Sequence, residues 1–235
     1  MKMVCYGFNI SNRLCDKMKN INYWKTLFYN YHFWGLKGLL KLPLIVHSGV
    51  VFKDISGKII LTEGIKKGTL RLGSAQPLAT RDMQYDRAII DISGVLIVCD
   101  NVHIAPGCRI SVNTGATLEI GKNFNSTGNC TIICDKRISI GNSCLFSWDI
   151  QLMDSDFHKI FNSENKCINM PERIEIGDDV WIGCRSTILK GSRIPKGCIV
   201  GARSVVAGKF VEENSIIGGV GKGCQVLKSN IHWEP

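Results

Sequence analysis

At 235 residues, with 45% hydrophobic and 21% charged residues, the chain is long enough for one globular domain with a sizeable core, or for such a domain with an appendage. No apolar run reaches the roughly 18 to 20 residues that span a bilayer, and the N-terminus has scattered lysines without the apolar stretch and small residues of a secretory signal. The net charge of +9 admits a nucleic acid, a membrane surface or an anionic ligand, but the basic residues are not interleaved with aromatics in a binding motif, which sets nucleic acid aside.

Residues 1–45 form an N-terminal segment without a repeat. From Ile21 to Leu44 it is rich in aromatics and leucines (Tyr23, Trp24, Phe28, Tyr31, Trp34, Leu40), punctuated by Lys25, Lys37 and Lys41, and Pro43 would end a helix. This pattern predicts one or two amphipathic helices. Two compatible roles follow. The segment can cover an open strand edge, or it can lie at a lipid surface, since Trp, Tyr and Lys suit that interface. From Ile45 the pattern turns to short strands between glycine turns: Val50–Phe52, Lys58–Leu61 and Thr69–Gly73. Residues 74–88 read as a loop. Aliphatic residues six apart then emerge at Val98, Ile104 and Ile110. They resume near Leu118–Gly121 and continue through Ile132, Ile140 (after two extra residues), Phe146 and Leu152.

The period breaks at residues 153–173, MDSDFHKIFNSENKCINMPER, which are polar and irregular. A long loop inside a compact repeat is usually functional. It contains His158, whereas His32, His47, His103 and His232 lie outside any loop that breaks the repeat and read as structural or exposed. The repeat then returns without a slip at Ile176, Ile182, Ile188, Ile194, Val200 and Val206, with Val180, Ser186, Ser192, Cys198 and Ser204 two positions before the later five. Neither the helical period nor the strand period of two gives a strict six. A flat-sided coil does, with one large and one small side chain inward per side and glycine at the corners. Four of the 11 cysteines (Cys108, Cys130, Cys144, Cys198) fall in the same small inward slot. They read as apolar filler in a reducing cytosol, with no paired spacing that suggests zinc. Between Ile182 and Lys228 the basic residues outnumber Glu212 and Glu213 by eight to two, which favours an anionic ligand over a merely solvated face.

The run DDVWIG…ILKGSRIPKGCIVGARSVV resembles the hexapeptide-repeat acyltransferases, in their sugar and polysaccharide O-acetyltransferase branch (maltose and galactoside acetyltransferase-like). The resemblance covers residues 95–228 well and 45–94 only in style. It implies an all-β left-handed parallel β-helix over 46–228, with the helical segment before it and a tail at 229–235. It also implies acetyl-CoA as acyl donor, no required metal, and a homotrimer with sites between neighbouring prisms. The acceptor would be a sugar or polysaccharide precursor, in the cytoplasm or at the inner face of the membrane. Asp154–His158 matches the family's D-x-D-F-H form, which nominates His158 as general base, oriented by Asp154 or Asp156. One histidine can both take the acceptor proton and return it, because it titrates near neutrality. Carried over position by position, Trp181 would pack beside the pantetheine arm, and Cys184, Gly201 and Ala202 would give backbone contacts. Lys190, Lys222 and Lys228 are candidates for the coenzyme A phosphates. Arg203 replaces a usual glycine, so that corner is expected to be remodelled. The C-terminal GVGKGCQ departs from the family's proline-bearing form. Asp135 in NCTIICD is either an acceptor-hydroxyl contact or a turn residue. An amino-sugar N-acyltransferase and a non-catalytic β-helix scaffold remain as alternatives. A three-histidine metalloenzyme on the same fold is disfavoured, because only His103 and His158 lie in the repeat.

Overall fold

The computed structural model describes residues 20–74 and 86–234, so most of the expected loop at 74–88 and the first part of the N-terminal segment lie outside the described residues. The repeat winds into a left-handed parallel β-helix of triangular section. Its three faces are sheets of nine, seven and six strands, and successive parallel strands of one face are a full coil apart in sequence. In the best-formed coils Ile176 pairs with Ile194, Ile182 with Val200 and Ile188 with Val206. Partners are therefore eighteen residues apart, three hexads to a turn.

All six of these aliphatics are buried, as are the five small residues that precede them. Each fully buried aliphatic contributes about 1.5–3 kcal/mol, so the stacked inward positions are the main stabilisation of the prism. The small slots hold Cys108, Cys130, Cys144 and Cys198 as expected, all buried. Where the slot is serine, the hydroxyl donates to a backbone carbonyl of the coil, Ser186 to Gly201 and Ser192 to Val206, both at 3.0 Å. A buried hydroxyl would otherwise cost free energy. Phe124 and Phe146 fill a wider part of the core edge to face, 4.9 Å apart.

Glycine and positive φ divide the corners between them. Gly121, Gly141 and Gly177 stack on one another, and a Cβ on Gly141 would lie 2.5 Å from the Gly177 carbonyl carbon. Close approach, not backbone angle, demands glycine there. The left-handed turns fall largely to other residues. Asn101, Asn123, Ser143 and Asp179 take φ between 54° and 55° along one edge. Arg185 and Arg203 both take φ 60° along another. The Arg203 corner repeats the Arg185 turn one coil on, with Arg203 N–H donating to the Cys184 carbonyl.

Helix α1 (Tyr23–Lys41) is broken at Gly35 (φ 59°, ψ −145°) and ends with Leu42 in the left-handed region, just before Pro43. Its inner side chains close the first coil. Asn30 bonds both the N–H and the carbonyl of Leu44, and the Thr26 hydroxyl accepts from Val46 N–H. Tyr29 stacks on Phe52. At the far end the strand Gln225–Lys228 runs antiparallel to Ile216–Gly218. Both termini of the first face therefore have partners for edge groups that would otherwise stay open.

Candidate active site

The hairpin 154–173 leaves the prism where the strand Gln151–Met153 would turn into Ile174–Ile176, at the corner between the second and third faces. Its first residue, Asp154, does not point outward. Met153 pairs with Leu189 and stands over Ile133, so the next side chain drops into the inward slot above Cys134, fully buried. There its carboxylate accepts from the backbone N–H groups of Asp135 (2.7 Å), Lys136 (2.9 Å) and Arg137 (2.7 Å), and the Cys134 thiol lies 3.6 Å away. Those N–H groups belong to the tight two-residue corner that the two extra residues before Ile140 announced. Asp154 as an orienting partner for His158 is therefore corrected. It satisfies a corner of the coil beneath, because three converging N–H groups hold an anion better than one imidazole would.

Asp156 faces the other way. It accepts from Lys190 Nζ (2.5 Å) and Asn169 Nδ2 (2.9 Å), and these two partners hold its carboxyl below the ordinary range. Lys190 also donates to the Asn169 carbonyl and is only 20% exposed. The lysine nominated for a coenzyme phosphate thus fastens the hairpin to the prism with two of its three N–H donors. Asn169 emerges as the central residue of the hairpin. Besides Asp156 it donates to the His158 carbonyl (2.7 Å) and accepts from Ile160 N–H (2.7 Å). Sequence reasoning missed it, since an asparagine in a polar loop carries no signal of its own. Glu172 N–H donates to the Asp154 carbonyl and closes the neck.

Held this way, His158 is exposed, with Phe157 before it at φ 62°. Its backbone is fixed at both sides, and among the described residues its imidazole has no hydrogen-bond partner. Neither nominated carboxylate reaches the ring. Asp135 lies at the same corner, where its carboxylate accepts from Asn113 Nδ2 at 3.0 Å; the turn role is visible, and it is half-buried rather than sealed.

Trp181, Cys184, Gly201 and Ala202 belong to other parts of the prism. Trp181 starts a strand of the first face, and Cys184, Gly201 and Ala202 share the corner that ends it. Gly183 packs against Ala202, a Cβ there meeting the Ala202 nitrogen at 2.7 Å. Within one chain, then, the structure gathers Cys184, Gly201 and Ala202 along one edge, with Trp181 on the face that ends there, and leaves His158 at a different corner. Trp181 Nε1 donates to Ser147 Oγ (3.0 Å), and its ring lies 5.9 Å from that of Trp233. Trp233 Nε1 in turn donates to the Asp179 carbonyl, and the tail beside it walls a cavity of about 320 Å³ with Lys196 and His232. A tryptophan followed by only two more residues of this sequence gave no reason to expect that contact. Lys222, in a 3-10 turn, and Lys228, on the antiparallel strand, are exposed at the last coil.

Residues 173–208 match the family model described as bacterial transferase hexapeptide (six repeats). An uncharacterized 24.8 kDa protein in the cps region of Klebsiella pneumoniae is 33% identical over 145 residues, covering 62% of this chain and 63% of that protein. The galactoside O-acetyltransferase of Escherichia coli (strain K12) is 29% identical over 133 residues, covering 56% of this chain and 62% of the enzyme. Among solved structures, the polySia-specific acetyltransferase NeuO superposes with a TM-score of 0.51 at 22% identity, over 79% of this chain and 82% of that one, which speaks for the fold. The chain spans between half and just under two thirds of the length of the first curated relatives it matches. Residues 173–208 thus carry the hexapeptide repeat, within a chain that winds as a left-handed parallel β-helix. The branch it resembles is that of the sugar and polysaccharide O-acetyltransferases.

Proposed function

We propose that the protein moves an acetyl group from acetyl-CoA to a hydroxyl of a sugar or polysaccharide precursor, with His158 as general base. The observation that carries this reading is the single interruption of the late repeat: a hairpin fastened at Asp154, Asp156 and Asn169 that leaves one free imidazole in solvent. Fastening costs a buried carboxylate and a lysine, which a mere insertion would not need. In the proposed step the imidazole takes the acceptor's hydroxyl proton as its oxygen attacks the thioester carbonyl. The C–S bond then breaks and the same proton passes to the departing thiolate. Trp181 and the backbone of Cys184, Gly201 and Ala202 would hold the coenzyme along their shared edge, with Lys222 and Lys228 for its phosphates. The names of the relatives, galactoside and polysaccharide O-acetyltransferases, support the acceptor class.

Because His158 and Trp181 stand at different corners of one prism, this reading places the reaction between neighbouring copies, a homotrimer of about three times 26.1 kDa. The test is release of free thiol from acetyl-CoA by the purified protein against a panel of sugars, nucleotide-sugars and amino-sugars. H158A is expected to lower kcat about 100- to 10,000-fold with coenzyme affinity nearly unchanged, and W181A to weaken coenzyme binding more than turnover. Near-normal turnover of H158A would overturn the catalytic assignment. Transfer only to amino-sugars would move the acceptor from hydroxyl to amine, and a strictly monomeric active protein would remove the shared site.

A further inference from the structure

Helix α1 has already used its inner face: Thr26 and Asn30 are buried on the first strand, and Tyr29, Phe33 and Trp34 pack against the core. An ordinary surface helix would be polar on the remaining side. This one is not. Before the break at Gly35, Trp24, Leu27, Phe28 and Tyr31 follow the spacing of one helical stripe, and Trp24 is 84% exposed. After the break, Leu36 and Leu40 lie one turn apart with Leu40 83% exposed, each followed at once by an exposed lysine, Lys37 and Lys41. Contiguous apolar surface of this kind on a soluble chain marks a place of attachment.

The charge says what attaches. From Ile21 to Lys53 there is no aspartate or glutamate, while Lys25, Lys37, Lys41 and Lys53 are present. Lys25 is turned inward to the Val50 carbonyl, but Lys37 and Lys41 form no ion pair among the described residues. A partner protein surface would have to supply both a greasy groove and acids. A leaflet of anionic phospholipid supplies acyl chains and phosphates in the right order of depth. Trp and Tyr with flanking Lys is also the composition that settles at that boundary. The helix does not cross: no helix among the described residues is long and apolar enough to do so, and Gly35 breaks this one. We propose that the outer face of α1 is a docking surface for an anionic phospholipid membrane, holding the first coil of the prism against the leaflet.

Flotation of the full chain with vesicles tests this without reference to acyl transfer, so it stands or falls apart from the proposed activity. Binding is expected to vesicles containing about one third phosphatidylglycerol, weaker binding to neutral phosphatidylcholine, and loss of about fivefold in affinity per lysine in K37E/K41E. W24E/F28E should lose at least about tenfold, since both side chains that would enter the acyl boundary become charged. Both variants change exposed side chains, so unchanged thermal melting serves as the folding control. Wild type that stays with the soluble fraction at low salt overturns the proposal. So does a wild-type assembly that W24E/F28E dissociates without any vesicle binding, which would make the face a contact between copies of this chain.

Discussion

Replacing Asp154 by asparagine separates two roles that the sequence could not tell apart. In the structure the carboxylate holds three backbone N–H groups at 2.7–2.9 Å from a fully buried position. Hydrogen bonds to a charged group are worth about 1.5–3 kcal/mol each. An asparagine keeps one oxygen and turns an NH₂ toward at least one N–H, so the loss is about one bond plus the charge assistance on the others. That comes to about 2–3 kcal/mol for D154N and about 3–5 kcal/mol for D154A. For a chain of this length each kcal/mol lowers the melting temperature by about 2–4 °C, so D154N should melt roughly 4–12 °C below wild type. The assay is thermal unfolding by circular dichroism, paired with kcat measured well below both transitions. A D154N protein that melts with wild type yet loses kcat a hundredfold or more would refute the structural role and return Asp154 to the imidazole.

Three further outcomes follow from the same geometry. Cys108, Cys130, Cys144 and Cys198, joined by Cys134, should resist thiol reagents until the protein unfolds; burial pushes the Cys134 and Cys144 thiols up to about 12, and rapid native labelling of these five would mean that the inward register is wrong. Because Lys190 and Asn169 depress the Asp156 carboxyl, its contribution to the hairpin is complete above the unfolded carboxylate range, about pH 4, and disappears as pH falls through the lower folded value. Amide protection across 160–168, taken relative to the intrinsic exchange rate at each pH, should accordingly be constant from neutrality down to that range and fall below it, whereas K190A should lower it already at neutral pH. G141A should lower the melting temperature by more than an exposed alanine change can, since the added Cβ meets the backbone of the next coil; a neutral result would show that the corner can relax.

The coil was legible because its signal is repeated: six inward aliphatics at a fixed step leave one geometry, and their partners stand eighteen residues apart as three-sided winding requires. The hairpin was legible as an interruption, and His158 as its histidine. What the sequence could not show is direction. Asp154 and Asp156 are two residues apart, a spacing that would put both on one side of a continuing strand, yet the strand ends at Met153 and they part, one into the core and one to Lys190. That difference depends on where the coil stops, which a motif does not state. Lys190 looked free for a phosphate because its partner lies 34 residues earlier in sequence. Trp233 was invisible for a related reason, since the residues it meets, Asp179 and Trp181, lie more than fifty positions earlier; Asn169 was invisible because its bonds to Asp156, His158 and Ile160 exist only once the hairpin has closed.

The two ends of the prism set its length. Eight parallel strands on the first face, at about 4.8 Å each, rise about 34 Å, and nothing in the repeat itself says where that should stop. Any coil could seat another of its kind, from its own chain or from a neighbour's. Asn30, offering donor and acceptor to the Leu44 backbone, and the antiparallel Gln225–Lys228 therefore act as terminators of a polymer. A chain cut back to Leu44 would carry the same core and the same coils, with its seed exposed, and its natural product would be a filament.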